Sequence, residues 1–179
     1  MAISTLCHML IGPPGSGKTT LACHLQRLIS RSCLIATDQI RQQLYGDPTV
    51  QGLWPQIEAV VEHQAREAIH QGQTIIYDAT NAKRVWRVAL LQRLAHLQAA
   101  WVGWHLTTPL ATCLEWNSRR PRFVNPVVIE ALHQALSQFP PQVTEGFIAL
   151  YSLNPCRGLD SVEDRLHQLA RFHPQILDP

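Results

Sequence analysis

Apolar and polar residues alternate along this chain in two periods, which predict strands and helices in turn. Short apolar runs that stop at glycine or at a polar residue predict five strands, over residues 3–11, 33–37, 74–77, 99–106 and 147–153. Apolar residues spaced three or four apart predict helices over residues 18–30, 40–44, 53–69, 85–97, 110–117, 126–136 and 162–172. This order implies an α/β fold with a mostly parallel sheet, helices on both faces and ligands at the carboxyl ends of the strands.

The length and composition indicate a single globular domain over residues 1–179, with 46% apolar and 16% charged residues. Residues 157–179 are interpreted as a helical tail of that domain. The apolar runs are far shorter than the roughly 20 residues that cross a bilayer, and the first residues lack the basic start of a signal peptide, so we expect a cytoplasmic protein. The five cysteines and nine histidines show neither disulfide nor zinc spacing, and we expect buried thiols.

A glycine-rich turn joins the first predicted strand to the first predicted helix. Its sequence, GPPGSGKT over residues 12–19, matches the pattern GxxxxGK[ST] in full, which specifies the three-layer P-loop NTPase fold. Glycines let backbone N–H groups face a phosphate, the lysine adds a mobile charge, and the last hydroxyl is a hard ligand for Mg²⁺. An accidental glycine turn is the alternative, which the flanking strand and helix disfavour. The residues expected to hold ATP and Mg²⁺ are Gly12, Gly15, Ser16, Gly17, Lys18, Thr19 and Thr20.

Two aspartates directly follow predicted strands. Asp38 and Asp78 should therefore lie at the sheet edge that carries the glycine turn. The residues before Asp78 have the apolar character of a Walker B strand, so we expect Asp78 to hold Mg²⁺ together with Thr19. Asp38 remains as the candidate base for the proton of an attacking hydroxyl. For each aspartate the alternative is a helix N-cap, near residues 40 and 82 respectively.

Arginines cluster at two further places. Arg41 lies one helical turn after Asp38 and is placed to bind a phosphate, with a solvated surface side chain as the alternative. Three arginines within residues 119–122 lie between two predicted helices, so residues 117–126 are interpreted as an arginine-rich lid over the transferring phosphoryl group. An exposed loop kept soluble by its charge is the alternative there. A second basic segment, residues 83–87 with Lys83, Arg84 and Arg87, is expected to be a solvated face.

Together these motifs resemble the bacterial P-loop kinases related to the kinase domain of phage-type polynucleotide kinases, over roughly residues 3–150. The motifs that carry the resemblance are residues 12–19, Asp38 with Arg41, residues 44–47, residues 78–81 and the arginine-rich lid. The resemblance implies transfer of the γ-phosphoryl group of ATP to an acceptor hydroxyl, with Asp38 as general base and Arg41 on a phosphate of the acceptor. It further implies Lys18 and Arg122 as catalytic residues, Arg119 at the nucleotide, and an acceptor beside Asp78, Thr80, Asn81 and Arg84.

The nature of the acceptor stays open at this stage. The 5′-hydroxyl of a polynucleotide comes first, on the resemblance. A small metabolite or a nucleotide sugar is the alternative, and the net charge of only +2 slightly favours it, because a nucleic-acid track usually needs more Lys and Arg. A nucleotide-binding switch without an acceptor is the second alternative. Guanine-reading switches usually carry an Asn-Lys-x-Asp loop, which residues 81–84 do not supply.

Overall fold

The computed structural model describes residues 5–172, which form a five-stranded sheet. The strands are β1 (Thr5–Ile11), β2 (Ser32–Ala36), β3 (Thr74–Asp78), β4 (Ala99–Leu106) and β5 (Phe147–Leu153). Their order is β2-β3-β1-β4-β5, and each neighbouring pair is parallel. Because all neighbouring strands are parallel, their carboxyl ends lie at one edge of the sheet. Residues 3 and 4 of the first predicted strand lie outside the described residues.

Helices cover both faces of this sheet. They are α1 (Lys18–Leu28), α2 (Thr37–Tyr45), α3 (Trp54–His70), α4 (Arg84–Arg93), α5 (Leu110–Ser118), α6 (Pro126–Gln138) and α7 (Ser161–Phe172). One apolar core cluster packs α2, α3, α4 and α6 on the first face, and a second packs α1 and α7 on the other. The predicted three-layer α/β fold is confirmed. Of the predicted tail, residues 173–179 lie outside the described part of the chain.

Two helix boundaries differ from the prediction by three residues or more. Helix α2 begins at Thr37 rather than at residue 40, so Asp38 lies inside its first turn. Helix α4 ends at Arg93, and a 3₁₀ turn over Ala95–Leu97 follows. The second error has a physical reason, because Leu94 and Leu97 are three residues apart, a spacing that fits a 3₁₀ turn as well as an α-helix.

The basic segment 83–87 is not a solvated face throughout, so that prediction was wrong for Arg87. Its side chain is fully buried and forms a bidentate ion pair with Glu145, with Nε and Nη2 at 2.6 and 2.8 Å from the carboxylate oxygens. The remaining N–H groups donate to the backbone carbonyls of Asn81, Ala82 and Phe139. Arg87 thus joins helix α4 and the loop after β3 to the segment before β5, at a residue 58 positions later in the chain.

Two further expectations concern the cysteines and the lack of a membrane-spanning segment. Cys23 and Cys156 are exposed, so the expectation of buried thiols was wrong for these two of the five cysteines. They lie on helix α1 and on a short 3₁₀ turn (Pro155–Arg157). Within residues 5–172, none of the helices is both long and apolar enough to cross a membrane.

Candidate active site

The glycine-rich turn forms a tight cradle between β1 and α1. Gly15 and Gly17 have φ angles of 78° and 91°, which favour glycine. A Cβ atom at Gly12 would lie 2.4 Å from Ser16 Oγ, and one at Gly15 would lie 2.2 Å from the carbonyl oxygen of Cys113 on α5. Ser16 Oγ is buried and has no partner within the described residues. The cradle thus offers an unused hydroxyl and the N-terminus of α1, donors that suit a triphosphate.

Lys18 lies at the first position of α1 and turns back over the cradle. Its Nζ donates to the carbonyls of Gly12 and Pro13, at 2.9 and 2.8 Å. Burial lowers the pKa of Lys18 to about 8, the carboxylate of Asp78 opposes this shift, and the guanidinium of Arg120 adds to it. Lys18 therefore loses its charge at a lower pH than an ordinary lysine, and a bound phosphate would stabilise the charged form.

Thr19 and Asp78 are brought together at the same edge. Thr19 Oγ1 donates to Asp78 Oδ2 at 2.9 Å. A hydroxyl and a carboxylate at this separation are the oxygen ligands that Mg²⁺ prefers, so the residues fit that ion. Helix α4 begins at Arg84 without a side-chain cap, which shows that the N-cap alternative for Asp78 was wrong. Thr20, also expected at the triphosphate, is exposed on the first turn of α1.

The loop after β3 is fastened to the cradle by its backbone. The Gly12 N–H donates to the carbonyl of Thr80 at 3.0 Å, and Asn81 Nδ2 donates to the carbonyl of Leu10 at 2.7 Å. Asn81 is 5% exposed and has a φ of 47°. The buried amide of Asn81 therefore supports β1, and the expected contact of Asn81 with an acceptor stays a prediction. Sequence alone could not distinguish these roles, since both use the same polar side chain.

Asp38 lies beside the cradle and contacts two arginines. Arg41 Nη1 donates to Asp38 Oδ1 at 3.0 Å, and Arg122 forms an ion pair with Oδ2. The residue at the N-cap of α2 is Ala36, and no side chain caps this helix, so the capping alternative for Asp38 was wrong. The Arg41 side chain is 12% exposed, and its Nε is buried without a partner in the described residues. The alternative of a solvated Arg41 was therefore also wrong.

The predicted lid is a loop over residues 119–125, between α5 and α6. Asn117 closes its base, because Nδ2 donates to the Val124 carbonyl at 2.8 Å and Oδ1 accepts from the Val124 N–H at 3.0 Å. Two side chains reach the site: Arg120 lies near enough to Lys18 to lower its pKa, and Arg122 reaches Asp38. The lid therefore faces both the cradle and the candidate base.

Two arginines predicted at the site lie apart from it. Arg119 is 70% exposed and pairs with Glu115 at 2.5 Å, one helical turn earlier, rather than facing the cradle. Arg84 is 57% exposed and lies 3.8 Å from Glu145 instead of at either aspartate. Of the three lid arginines, Arg120 is the one to which the sequence analysis assigned no particular contact, and it lies near Lys18. A signal was available, since an acid four residues before Arg119 indicates an i,i+4 pair that draws its side chain away.

Comparisons with known proteins show the family and the fold of this chain. The family model described as an AAA domain matches residues 7–141. No curated protein matches the sequence. A chain of the Pnkp1/Rnl/Hen1 RNA repair complex is similar in structure, with a TM-score of 0.65 and 20% identity over 77% of this chain and 46% of that chain. This chain thus spans less than half the length of that one.

Two other solved structures are similar over nearly their whole length. A tunicamycin resistance protein from Deinococcus radiodurans has a TM-score of 0.58 and 20% identity, over 98% of this chain and 99% of that chain. A gluconokinase from Sinorhizobium meliloti has a TM-score of 0.60 and 16% identity, over 96% and 95% of the two chains. At these identities the likeness shows the fold. Because the family model spans more than half of the chain, this chain belongs to the family described as an AAA domain and has the P-loop kinase fold.

Proposed function

We propose that this protein is a kinase that transfers the γ-phosphoryl group of ATP to an acceptor hydroxyl, with Asp38 as the general base. The observation that carries the proposal is the position of Asp38, beside the phosphate cradle with an arginine on each carboxylate oxygen. A protein that only bound a nucleotide would need no such carboxylate. The P-loop and the Thr19–Asp78 pair at the same sheet edge support the same reaction.

The residues around the cradle would have separate roles in phosphoryl transfer. Lys18 would leave the carbonyls of Gly12 and Pro13 for the β and γ oxygens of ATP, which would stabilise its charged form. Thr19 and Asp78 would hold Mg²⁺, which when bound neutralises charge on the same phosphate oxygens. Arg120 is proposed, in place of Arg119, as the lid arginine that faces the phosphates, because it lies near Lys18.

On the acceptor side the chemistry is proton transfer and orientation. Asp38 would accept the proton of the acceptor hydroxyl as its oxygen bonds to the γ-phosphorus. A loose transition state asks mainly for orientation and late proton acceptance, so an ordinary carboxylate is adequate. Arg41 fixes the orientation of that carboxylate through the 3.0 Å contact within α2. Its buried, unpartnered Nε is a further donor for an anionic group of the acceptor.

The 5′-hydroxyl of a polynucleotide remains the first acceptor in this proposal. Besides the sequence resemblance, an exposed basic and aromatic surface supports it at the start of α4. Trp86 is 39% exposed, Lys83 Nζ lies 4.9 Å from its ring centroid, and the Arg84 side chain is 57% exposed. Stacking aromatics with basic neighbours suit single-stranded nucleic acid. A small metabolite or a nucleotide sugar is the second candidate, supported by the similarity of the gluconokinase fold and by the small net charge of +2.

Transfer of label from γ-labelled ATP to a panel of acceptors tests the proposal. The panel contains an oligonucleotide with a free 5′-hydroxyl, the same oligonucleotide with a 5′-phosphate, sugars, hydroxy acids and nucleotide sugars. Label on the first oligonucleotide alone is the expected result, and an Asp38→Asn variant should transfer none. Label on a small molecule only would move the assignment to the second candidate. Release of phosphate without any labelled acceptor would contradict the kinase and favour a nucleotide switch.

A further inference from the structure

We propose that Arg122 is a specificity-determining residue that protects ATP from water, by occupying Asp38 until an acceptor displaces it. The inference rests on the proposed kinase function and concerns the same site. It assigns to Arg122 a position on the base, rather than on the transferring phosphoryl group where the sequence placed it. The ion pair between Arg122 and Asp38 Oδ2 is the observation from which it starts.

The two arginines on Asp38 differ in where they come from. Arg41 belongs to the same helix as Asp38, three residues later, and its side chain is 12% exposed, so it stays with the carboxylate. Arg122 comes from the lid and approaches the other oxygen. The Asp38 side chain is 50% exposed with Arg122 in place, so packing alone does not cover the carboxylate. Within residues 5–172, Arg122 is the partner shown on Oδ2, and this lid contact is the one that an acceptor or a water would have to displace there.

The lid is built to hold Arg122 at this place. The two hydrogen bonds between Asn117 and Val124 close the loop at its base and limit its possible positions. A second acid also lies near the guanidinium, since hydrogen bonds from Thr49 and, more weakly, the charge of Arg122 lower the pKa of Asp47. Asp47 follows helix α2, the helix that carries Asp38. Arg122 thus lies next to two carboxylates, while Arg120 of the same loop lies near Lys18 of the cradle.

The reaction that this contact would suppress is ATP hydrolysis. Water would give its proton to Asp38 while its oxygen bonds to the γ-phosphorus, and the bond to the β–γ bridging oxygen would break with its electron pair left on ADP. Arg122 occupies the oxygen that would take the proton. An acceptor with several contacts to the site offsets the loss of the ion pair, whereas one water molecule does not. The contact therefore favours transfer to the acceptor over transfer to water.

Acceptor-free ATP hydrolysis, measured as phosphate release, tests the inference. Arg122→Ala should raise this rate at least about threefold, with the Kd for ATP within about twofold of the wild-type value. Phe123→Ala is the control in the same loop. Phe123 is the next lid residue, is 62% exposed and, among the described residues, forms no hydrogen bond or ion pair with Asp38. It should leave the rate unchanged. An unchanged or lower rate in Arg122→Ala would overturn the inference, and Arg122→Gln repeats the test with a longer neutral side chain.

A double variant shows whether the effect passes through the base. In Asp38→Asn/Arg122→Ala the rise in hydrolysis should disappear, and a rise that persists would overturn the inference. The two experiments distinguish a failure of the kinase function from a failure of the role of Arg122. Absence of any labelled acceptor in the transfer screen would contradict the kinase function. Labelled acceptor together with unchanged hydrolysis in Arg122→Ala would leave the kinase in place and contradict the role of Arg122.

Discussion

The hydroxyl of Thr19 and the carboxylate of Asp78 meet at 2.9 Å, although 59 residues separate them in the sequence. The contact joins the first turn of α1 to the end of β3, and therefore joins the phosphate cradle to the candidate metal ligand. Neither side chain is placed there by the apolar core, since Thr19 is exposed and Asp78 is only partly buried. Thr19 and Asp78 are the two residues proposed above to hold Mg²⁺, an ion that prefers hydroxyl and carboxylate oxygens.

Replacement of Thr19 should therefore change the magnesium dependence of the reaction. We expect Thr19→Val, which keeps the shape and removes the hydroxyl, to raise the Mg²⁺ concentration for half-maximal transfer by about tenfold or more. Thr19→Ser keeps the hydroxyl and should remain near the wild-type value. The measurement is a Mg²⁺ titration of label transfer at fixed ATP. Equal magnesium dependence in the two variants would contradict a metal role for Thr19.

Asp38 should be needed for transfer and not for binding of ATP. We expect Asp38→Asn to reduce kcat by about 10²–10⁴-fold, because the amide cannot accept the proton of the acceptor hydroxyl. The Kd for ATP should stay within about threefold, since the cradle is formed by other residues. Label transfer gives kcat, and titration with a fluorescent ATP analogue gives Kd.

The control for this substitution is Asp164→Asn, which removes the same charge from the exposed surface of α7. Both kcat and Kd should be unchanged there. A loss of ATP affinity in Asp38→Asn as large as the loss of kcat would refute the role of Asp38 as base and indicate a contact with the nucleotide.

ATP affinity should depend on pH through Lys18. Its pKa of about 8 means that the free protein loses the ammonium charge as the pH rises above 8. Bound phosphates favour the charged form, so binding above pH 8 must take up a proton and affinity should fall by about tenfold per pH unit. The Kd measured between pH 7 and 9.5 checks this. Lys18→Arg keeps its charge throughout, and a falling affinity in that variant would show that another group titrates.

Much of the fold follows from the sequence because each strand is a short apolar run with a clear end. The predicted strands over residues 99–106 and 147–153 coincide with β4 and β5. The motif over residues 12–19 predicted the cradle, because the full GxxxxGK[ST] pattern lies between a predicted strand and a predicted helix. Asp38 and Asp78 could be assigned to one edge because parallel strands share their carboxyl ends.

The partners of the arginines could not be predicted, because they depend on contacts that a local sequence pattern does not show. Arg119, Arg120 and Arg122 are the same residue type and lie within four positions. Their different partners depend on the shape of the loop that Asn117 and Val124 close. Arg87 looked like one charge of an exposed basic segment, because its partner lies 58 residues later. Long-range ion pairs leave no periodic signal, so only the folded chain could show which arginines are buried.

The buried pair of Arg87 and Glu145 should matter for stability. We expect Arg87→Met to lower the free energy of unfolding by about 3–5 kcal/mol, because it leaves the buried Glu145 carboxylate with only the 3.8 Å contact to Arg84 and removes donors from three backbone carbonyls. Arg87→Met/Glu145→Leu should recover part of this loss. The control is Arg66→Met, whose surface pair with Glu62 should contribute less than about 1 kcal/mol. Urea unfolding measures all three, and equal losses for Arg87→Met and Arg66→Met would contradict the prediction.

His8 should make the protein less stable in acid. It is fully buried on β1, and Nδ1 accepts a hydrogen bond from Trp104 Nε1 at 3.0 Å. Burial lowers its pKa from 6.5 to about 3, so between these values the unfolded chain binds a proton that the folded chain does not. The free energy of unfolding should therefore fall as the pH drops below 6.5, by about 1.4 kcal/mol per pH unit from this residue.

Urea unfolding at pH 7, 6 and 5 checks the size of this effect, and His8→Asn isolates it. Asparagine offers a carbonyl oxygen near the place of Nδ1, so Trp104 keeps an acceptor, and it cannot take up a proton. His105, whose pKa is also lowered chiefly by burial, contributes in the same direction and is present in both proteins. The variant should therefore lose less stability between pH 7 and 5 than the wild type. Parallel curves for the two proteins would show that His8 does not charge when the chain unfolds, or that it is already charged when folded.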